Sequence, residues 1–460
     1  TITRLLIMTM KLTSMAHRQM RWYSTKEKMK VVDNIDELLL NNELKHRNHP
    51  GVIKPRQVQQ PTWLSNAIKI CMHVRPGQQL GLHLYGRQAP LENRDVRSKL
   101  AEVQACIEEK TKETIEKEDL LKNPKSRKLF KEMVYNWMPI QYDKYTCLSY
   151  LTVRSVPEYC VLCKIFNEIN TEDSNFVPKS LFDYGSGIGT VMWGASQFWF
   201  KSIKEYYCVD ASADMNELSE YLMKKAKPQV LPERIYYRQF LPASPTPTYD
   251  IVVSAYSLLE LPDQKSRLEV ILKLWQKTEN YLIFVEQGTK AGFKIVNEAR
   301  DFVLNYSKNT SNVHVFSPCP HDLPCPAYMN ESTCNFKIVY QTLSVFKKSE
   351  YKNESYSYVV LKKGERPKDA REWPRIVKPV LKRSKHVICR MCTTSGKLQE
   401  EIFTTWKNGL NTYRCARSSE LGDRLPFKIE ENISTVRIFV QHSCSFIGSF
   451  FESVRYEFIF

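Results

Sequence analysis

Over the first third of the chain, apolar side chains recur at helical spacing among glutamates and lysines, most regularly over Lys99–Leu121 and again over Arg127–Trp137. The pattern predicts a helical N-terminal domain over residues 30–170. From Lys179 the period changes to short apolar runs separated by amphipathic stretches, the signature of a largely parallel sheet covered on both faces. Five runs read as parallel strands: Leu181–Asp183, Tyr206–Asp210, Ile235–Gln239, Asp250–Ser254 and Tyr281–Glu286. Two more, Phe336–Val345 and Tyr356–Lys362, read as an antiparallel pair at one edge, giving an α/β domain over 171–365. Residues 426–460 are apolar and irregular and support no assignment.

The turn after the first of these strands carries the clearest chemistry. Phe182-Asp183-Tyr184-Gly185-Ser186-Gly187-Ile188-Gly189-Thr190 ends a strand and opens a helix, and its glycines let the backbone approach a ligand closely. A dinucleotide fingerprint needs its third glycine one position later, where Thr190 stands, so the loop fits S-adenosylmethionine better than NAD. Asp183 and Asp210 end the first two strands, and Asp210 is expected to accept hydrogen bonds from both ribose hydroxyls. With Gly185, Gly187 and Gly189 they form the expected cofactor site of a class I methyltransferase fold built on a seven-stranded sheet.

Marks of catalysis are sparse. After the fourth strand stands Ser254-Ala255-Tyr256-Ser257, which offers neither an amide nor a proline pair to grip a base amino group. No cysteine occurs between Cys208 and Cys319, so attack on a cytosine ring by a thiolate is not provided for. Glu260, Asp263 and Glu286 are candidate bases, although acids at strand ends commonly cap helices.

Beyond the sheet, Cys319, Cys325 and Cys334 lie in and just after a proline-rich segment, and Cys389-Arg-Met-Cys392 reads as a turn presenting two sulfurs to one ion. Together they supply the thiolates of a tetrahedral site. Spacing alone does not choose zinc or an iron–sulfur cluster, nor Cys389 or Cys392 as the fourth ligand. Between Gly364 and Arg390 nine lysines and arginines, interrupted by Trp373 and prolines, make an extended basic strip suited to a phosphate backbone. The strip and the CxxC pair fall in a region taken as 366–425, and the net charge of +17 points the same way.

The chain has 460 residues, and no run approaches the roughly 18 apolar residues of a membrane span. Its first acidic residue is Glu27, preceded by Arg4, Lys11, Arg18, Arg21 and Lys26, which is a transit-peptide composition. Cleavage is expected near Ser24, removing residues 1–24 and leaving a matrix protein whose thirteen cysteines stay reduced or metal-bound.

Asp183-Tyr-Gly-Ser-Gly-Ile-Gly-Thr, Cys319-Pro-His-Asp-Leu-Pro-Cys325-Pro, and Trp373-Pro-Arg-Ile-Val-Lys-Pro-Val-Leu-Lys-Arg followed by the CxxC pair together resemble the mitochondrial methyltransferase-like protein seventeen family. The resemblance covers roughly Leu80–Leu425; the C-terminal tail departs from it. It implies a monomeric factor that binds the maturing mitochondrial small ribosomal subunit and its rRNA, keeps the S-adenosylmethionine fold with weak or no catalysis, and carries a 4Fe-4S cluster. The implied cluster ligands are Cys319, Cys325, Cys334 and Cys392. An active rRNA methyltransferase is the alternative.

Overall fold

The computed structural model describes residues 28–71, 140–225, 234–308, 312–343, 349–367 and 372–430. The expected transit segment, both helical stretches between Lys99 and Trp137, and the tail after Glu430 lie outside them. In chain order the strands are β1 (Lys28–Val31), β2 (Gln57–Val58), β3 (Ser180–Tyr184), β4 (Glu205–Val209), β5 (Arg234–Arg238), β6 (Tyr249–Ala255), β7 (Thr278–Gln287), β8 (Val313–Ser317), β9 (Phe336–Gln341), β10 (Tyr351–Lys363), β11 (Arg375–Ile376), β12 (Leu381–Lys382), β13 (Val387–Cys392), β14 (Leu398–Phe403) and β15 (Phe427–Glu430). The first helices are α1 (Asp33–Leu40), α2 (Thr62–Cys71), α3 (Lys144–Glu172), α4 (Thr190–Trp199), α5 (Ala213–Lys225), α6 (Gln264–Lys277) and α7 (Lys290–Ser307).

The main sheet runs β2-β9-β10-β7-β6-β3-β4-β5, with β8 also paired to β10. Strands β5, β4, β3, β6 and β7 are mutually parallel. Only β10 is reversed, lying antiparallel to β7, β8 and β9. That order, with one reversed strand set inside the edge, is the class I methyltransferase arrangement. Alternation along β7 shows why the strands read as unbroken apolar runs. Tyr281, Ile283 and Val285 join one core, with α3 and α4, while Leu282 and Phe284 join the other, beneath α6 and α7.

The sheet differs from the sequence expectation in three ways. It has nine strands and not seven, because β2 spans only Gln57–Val58 and β8 is a short run lying in line with β9. The antiparallel pair is not at the edge, since β2 extends the sheet beyond β9. Finally, the described parts of residues 30–170 are joined to other elements of the fold. β1 pairs with β15, β2 joins the main sheet, and Ile35 and Leu39 of α1 pack with Ile376, Val387 and Phe403. Helices as short as α1 and α2 cannot bury enough surface alone, so they dock where larger elements supply it.

A second, smaller sheet has β13 at its centre, paired with β11, β12 and β14. It is tied to the main body through α3. Glu168, near the end of that helix, accepts from Arg375 Nη1 at 2.5 Å, Arg424 Nη2 at 2.8 Å and Tyr358 Oη at 2.8 Å. Arg375, expected on the basic strip, is therefore a buried structural cation. The strip is broken up elsewhere too: Arg366 bonds Asp322, Lys378 bonds the Thr333 carbonyl, and Arg390 bonds the Pro379 carbonyl. Lys382, Arg383 and Lys385 remain exposed at the β12–β13 turn.

Candidate functional site: a cofactor cleft and a cysteine centre

The glycine loop sits at the carboxyl end of β3, where doubly wound sheets bind their ligands. Gly185 and Ser186 donate to the Val209 carbonyl at 2.8 and 3.0 Å, so the end of β4 holds the loop in place. Gly185, Gly187 and Gly189 have φ of +73°, +49° and +89°. A side chain at Gly185 would also stand 2.3 Å from Ser257 Cβ, whereas at Gly187 it would meet nothing within 4 Å. That open side faces a cleft of about 750 Å³ lined by Gly185, Gly187, Asp210, Tyr142, Tyr150 and Tyr256, among others.

Asp210 meets the loop directly: its Oδ2 accepts from Gly187 N at 2.8 Å and its Oδ1 from Ser212 N at 2.9 Å. Burial raises its pKa and those two backbone bonds oppose the rise. Each oxygen keeps a second lone pair for a diol. Asp183 and Gly189 lie behind the cleft wall. Asp183 is buried, with neither carboxylate oxygen hydrogen-bonded within the described structure. Burial, and then the Asp210 charge, push its pKa well above the carboxylate range.

The remaining wall was not legible in the sequence. The chain entering α3 crosses the cleft mouth, fastened by Ser212 Oγ to the Tyr142 carbonyl and by Tyr142 Oη to Glu260 Oε1, both at 2.8 Å. Of the three candidate bases, Glu260 lines the cleft. Asp263 is exposed and caps α6, accepting from Ser266 N at 2.8 Å. Glu286 is buried beneath the rim, accepts from Leu259 N, and is pushed up to about 8 by burial. At the rim itself Tyr256 adopts φ +58°, strained for a side chain of this size, with the Arg154 guanidinium 5.4 Å from its ring centre.

The cysteines form a second centre at the sheet edge. β8 and β9 pair with the same side of β10, Ser317 opposite Val360 and Phe336 opposite Tyr356. The chain thus leaves one lane of the sheet and returns to it. The excursion, residues 318–335, carries Cys319, Cys325 and Cys334, with Cys325 at the N-cap of the short helix α8 (Pro326–Met329). Cys392 ends β13 and packs with Cys325, Phe293, Val377 and Leu398, against which Cys334 also lies. Cys319, Cys325, Cys334 and Cys392 all lie within electrostatic reach of one another.

Cys389 is not with them. The CxxC pair is a strand and not a turn, and residues three apart on a strand point to opposite faces. Cys389 is buried among Met29, Met391 and Phe403, and its thiol is pushed up to about 12 by burial. Around the other four, His321 Nε2 stands 3.2 Å from Cys392 Sγ, and Arg300 of α7 donates to the carbonyls of His321 and Leu323 at 3.2 and 2.7 Å. The four thiols are close but splayed: among the described residues no three His, Cys, Asp or Glu side chains converge as a metal site. Burial holds Cys325, Cys334 and Cys392 in the thiol form, raising the first to about 11. A metal would have to displace those protons. Four thiols, those of Cys325 and Cys392 buried and those of Cys319 and Cys334 half-buried, match the donor set of zinc or of an iron–sulfur cluster.

The sequence profile of the mitochondrial small ribosomal subunit Rsm22 family matches residues 144–426. The chain is 36% identical over 400 residues to the human protein named "Ribosome assembly protein METTL17, mitochondrial", covering 83% of this chain and 86% of that one. This chain belongs to the Rsm22 family. Membership makes it a mitochondrial protein. A further Rsm22 relative, "Rsm22-cox11 tandem protein 2, mitochondrial" of Schizosaccharomyces pombe, is 33% identical over 230 residues, which is 41% of this chain and 30% of that protein. Among solved structures, magnesium protoporphyrin IX methyltransferase of Synechocystis PCC 6803 is 11% identical, covering 53% of this chain and 94% of that one with a TM-score of 0.28. The N-methyltransferase NodS of Bradyrhizobium japonicum is 10% identical, covering 44% and 85% with a TM-score of 0.27. No described helix of this Rsm22 member is long and apolar enough to cross a membrane.

Proposed function

We propose that this protein is an assembly factor of the mitochondrial small ribosomal subunit that binds rRNA, carries a 4Fe-4S cluster on Cys319, Cys325, Cys334 and Cys392, and holds S-adenosylmethionine without efficient methyl transfer. The observation that carries the reading is 36% identity, over 83% of the chain, to a protein named for ribosome assembly. Support for the RNA contact comes from one end of the small sheet. Lys382, Val387 and Phe403 stand side by side across β12, β13 and β14. Exposed Lys382, Arg383 and Lys385 therefore share that end with Trp406, 95% exposed, in the helix α9 (Thr405–Asn408) that follows β14. Cations beside an exposed indole suit a single-stranded segment, through phosphate contacts and base stacking.

Changing Lys382, Arg383 and Lys385 together to Gln is expected to weaken binding to small-subunit rRNA uniformly across sequences. The log–log salt dependence should fall by about 2, roughly 0.7 per lost single-strand phosphate contact. Co-sedimentation with small subunits should fall with it, and unchanged sedimentation would remove this surface from the reading. For the cofactor, Gly185→Ala places a methyl group against Ser257 at a left-handed backbone position. It should weaken S-adenosylmethionine binding by calorimetry at least tenfold, an order of magnitude expected from about 1.4 kcal/mol or more of strain. Gly187→Ala carries the backbone strain without the clash and should lose less.

Glu260 beside Tyr142 in the cleft favours a second reading, an active rRNA methyltransferase in which Glu260 takes a proton from the acceptor. Labelled methyl transfer to immature small subunits, abolished by Glu260→Gln, would establish it.

A further inference from the structure

Arg300 is 3% exposed, and each of its nitrogens has a traceable fate except one. Nη2 bridges the carbonyls of His321 and Leu323, fastening the chain midway between Cys319 and Cys325. Nη1 donates to Asp301 Oδ1 at 2.6 Å. Nε is buried without a partner among the described residues, and so is His321 Nδ1 in the segment it holds. An orphaned donor on a buried cation costs on the order of 1–3 kcal/mol, more where charge is involved. The carboxylate that meets this cation, Asp301, is 37% exposed and so is screened by water. Through Nη2 the guanidinium is seated against the segment between Cys319 and Cys325, both of which lie within its electrostatic reach.

A tetrathiolate iron–sulfur cluster is a net anion whose sulfurs accept hydrogen bonds, and those bonds help to set its potential. We propose that Arg300 is a positioning residue for that cluster: it fixes the 321–323 carbonyls with Nη2, donates from Nε to a cluster or cysteine sulfur, and offsets the bound negative charge. The inference rests on the iron–sulfur reading above. It goes beyond it by assigning a cation on α7, outside the cysteine-bearing segments, to the cluster's environment. A desolvated cation favours the more negative, reduced state, so its removal makes the cluster harder to reduce.

The test uses the full chain purified anaerobically as wild type, Arg300→Gln and Arg300→Lys, with iron and acid-labile sulfide, far-ultraviolet circular dichroism and midpoint potential measured on each. Wild type should contain both iron and sulfide. Arg300→Gln should fold normally and shift to a more negative midpoint, by a tenfold or larger change in the oxidised-to-reduced ratio at fixed potential, about 59 mV for one electron. Loss of the cluster with the fold retained would equally support the proposal. Arg300→Lys keeps the charge but loses the fork, so its potential should move less while iron passes to a chelator faster than from wild type. If Arg300→Gln folds and is loaded with unchanged potential and unchanged iron release, the role of Arg300 is wrong while the cluster stands. Should Arg300→Gln fail to fold, unchanged iron release from Arg300→Lys overturns it. A wild-type protein without iron and sulfide sinks the cluster and this inference together.

Discussion

Replacing Glu168 with alanine should lower the free energy of unfolding by about 3–5 kcal/mol, the range for removing one partner of a buried ion pair. Glu168 is 3% exposed and Arg375 2%, and the same carboxylate also holds Arg424 and Tyr358. Without it the Arg375 guanidinium keeps its desolvation cost and loses its counter-charge, while Arg424 retains Glu172 at 3.3 Å. A surface pair offers the contrast: Lys224 and Glu220 are 70% and 51% exposed, and Lys224→Ala should cost less than about 0.5 kcal/mol. Urea unfolding of both variants beside the wild type separates the two cases, and similar midpoints would show that Glu168 does not hold the sheets together.

The same group sets an acid limit. Burial alone would raise the Glu168 pKa, but Arg375 and then Arg424 outweigh it and bring it down from 4.5 to about 2. A folded pKa below the unfolded one means the stabilisation is present above about pH 4.5 and is lost as pH falls towards 2. Its size is about 3 kcal/mol, so wild type should weaken steeply through that window and the Glu168→Ala protein should do so less.

Cys392→Ser should abolish iron and sulfide incorporation, or cut it to a small fraction, while Cys389→Ser leaves it intact. The two residues share one strand, but Cys392 faces Cys325 and Phe293 whereas Cys389 faces Met391 and Phe403 in the other core. Serine at 389 exchanges a buried sulfur for a hydroxyl, at about 1–3 kcal/mol if it finds no partner, so a stability loss without cluster loss is expected there. Loss of iron from the 389 variant, with the 392 variant still loaded, would reverse the ligand assignment.

The parallel strands were legible because β3, β4, β6 and β7 are buried on both faces and leave unbroken apolar runs. The glycine loop was legible because a close backbone approach restricts residue type. Polarity and brevity hid β2, and interruption hid β8. Arg375 looked like any other cation on a basic strip, because nothing local to it announces Glu168 about two hundred residues earlier. The CxxC pair was misread as a turn, although the alternation of Val387, Cys389 and Met391 already carried the period of a strand. Arg300 left no local mark, since its role depends on a helix meeting a loop.

The interruption between β8 and β9 bears on the order of events during maturation. Both ends of residues 318–335 are fixed by pairing with β10 and not by any metal. Closing that loop, which costs roughly (3/2)RT ln n, is accomplished when the sheet forms. Three sulfurs are therefore confined near β13 by the fold alone, and the proposed loading would need local rearrangement without refolding. On the cluster proposal the chain can fold first and receive its metal afterwards, so protein present without metal would be a folded reserve and not a denatured one.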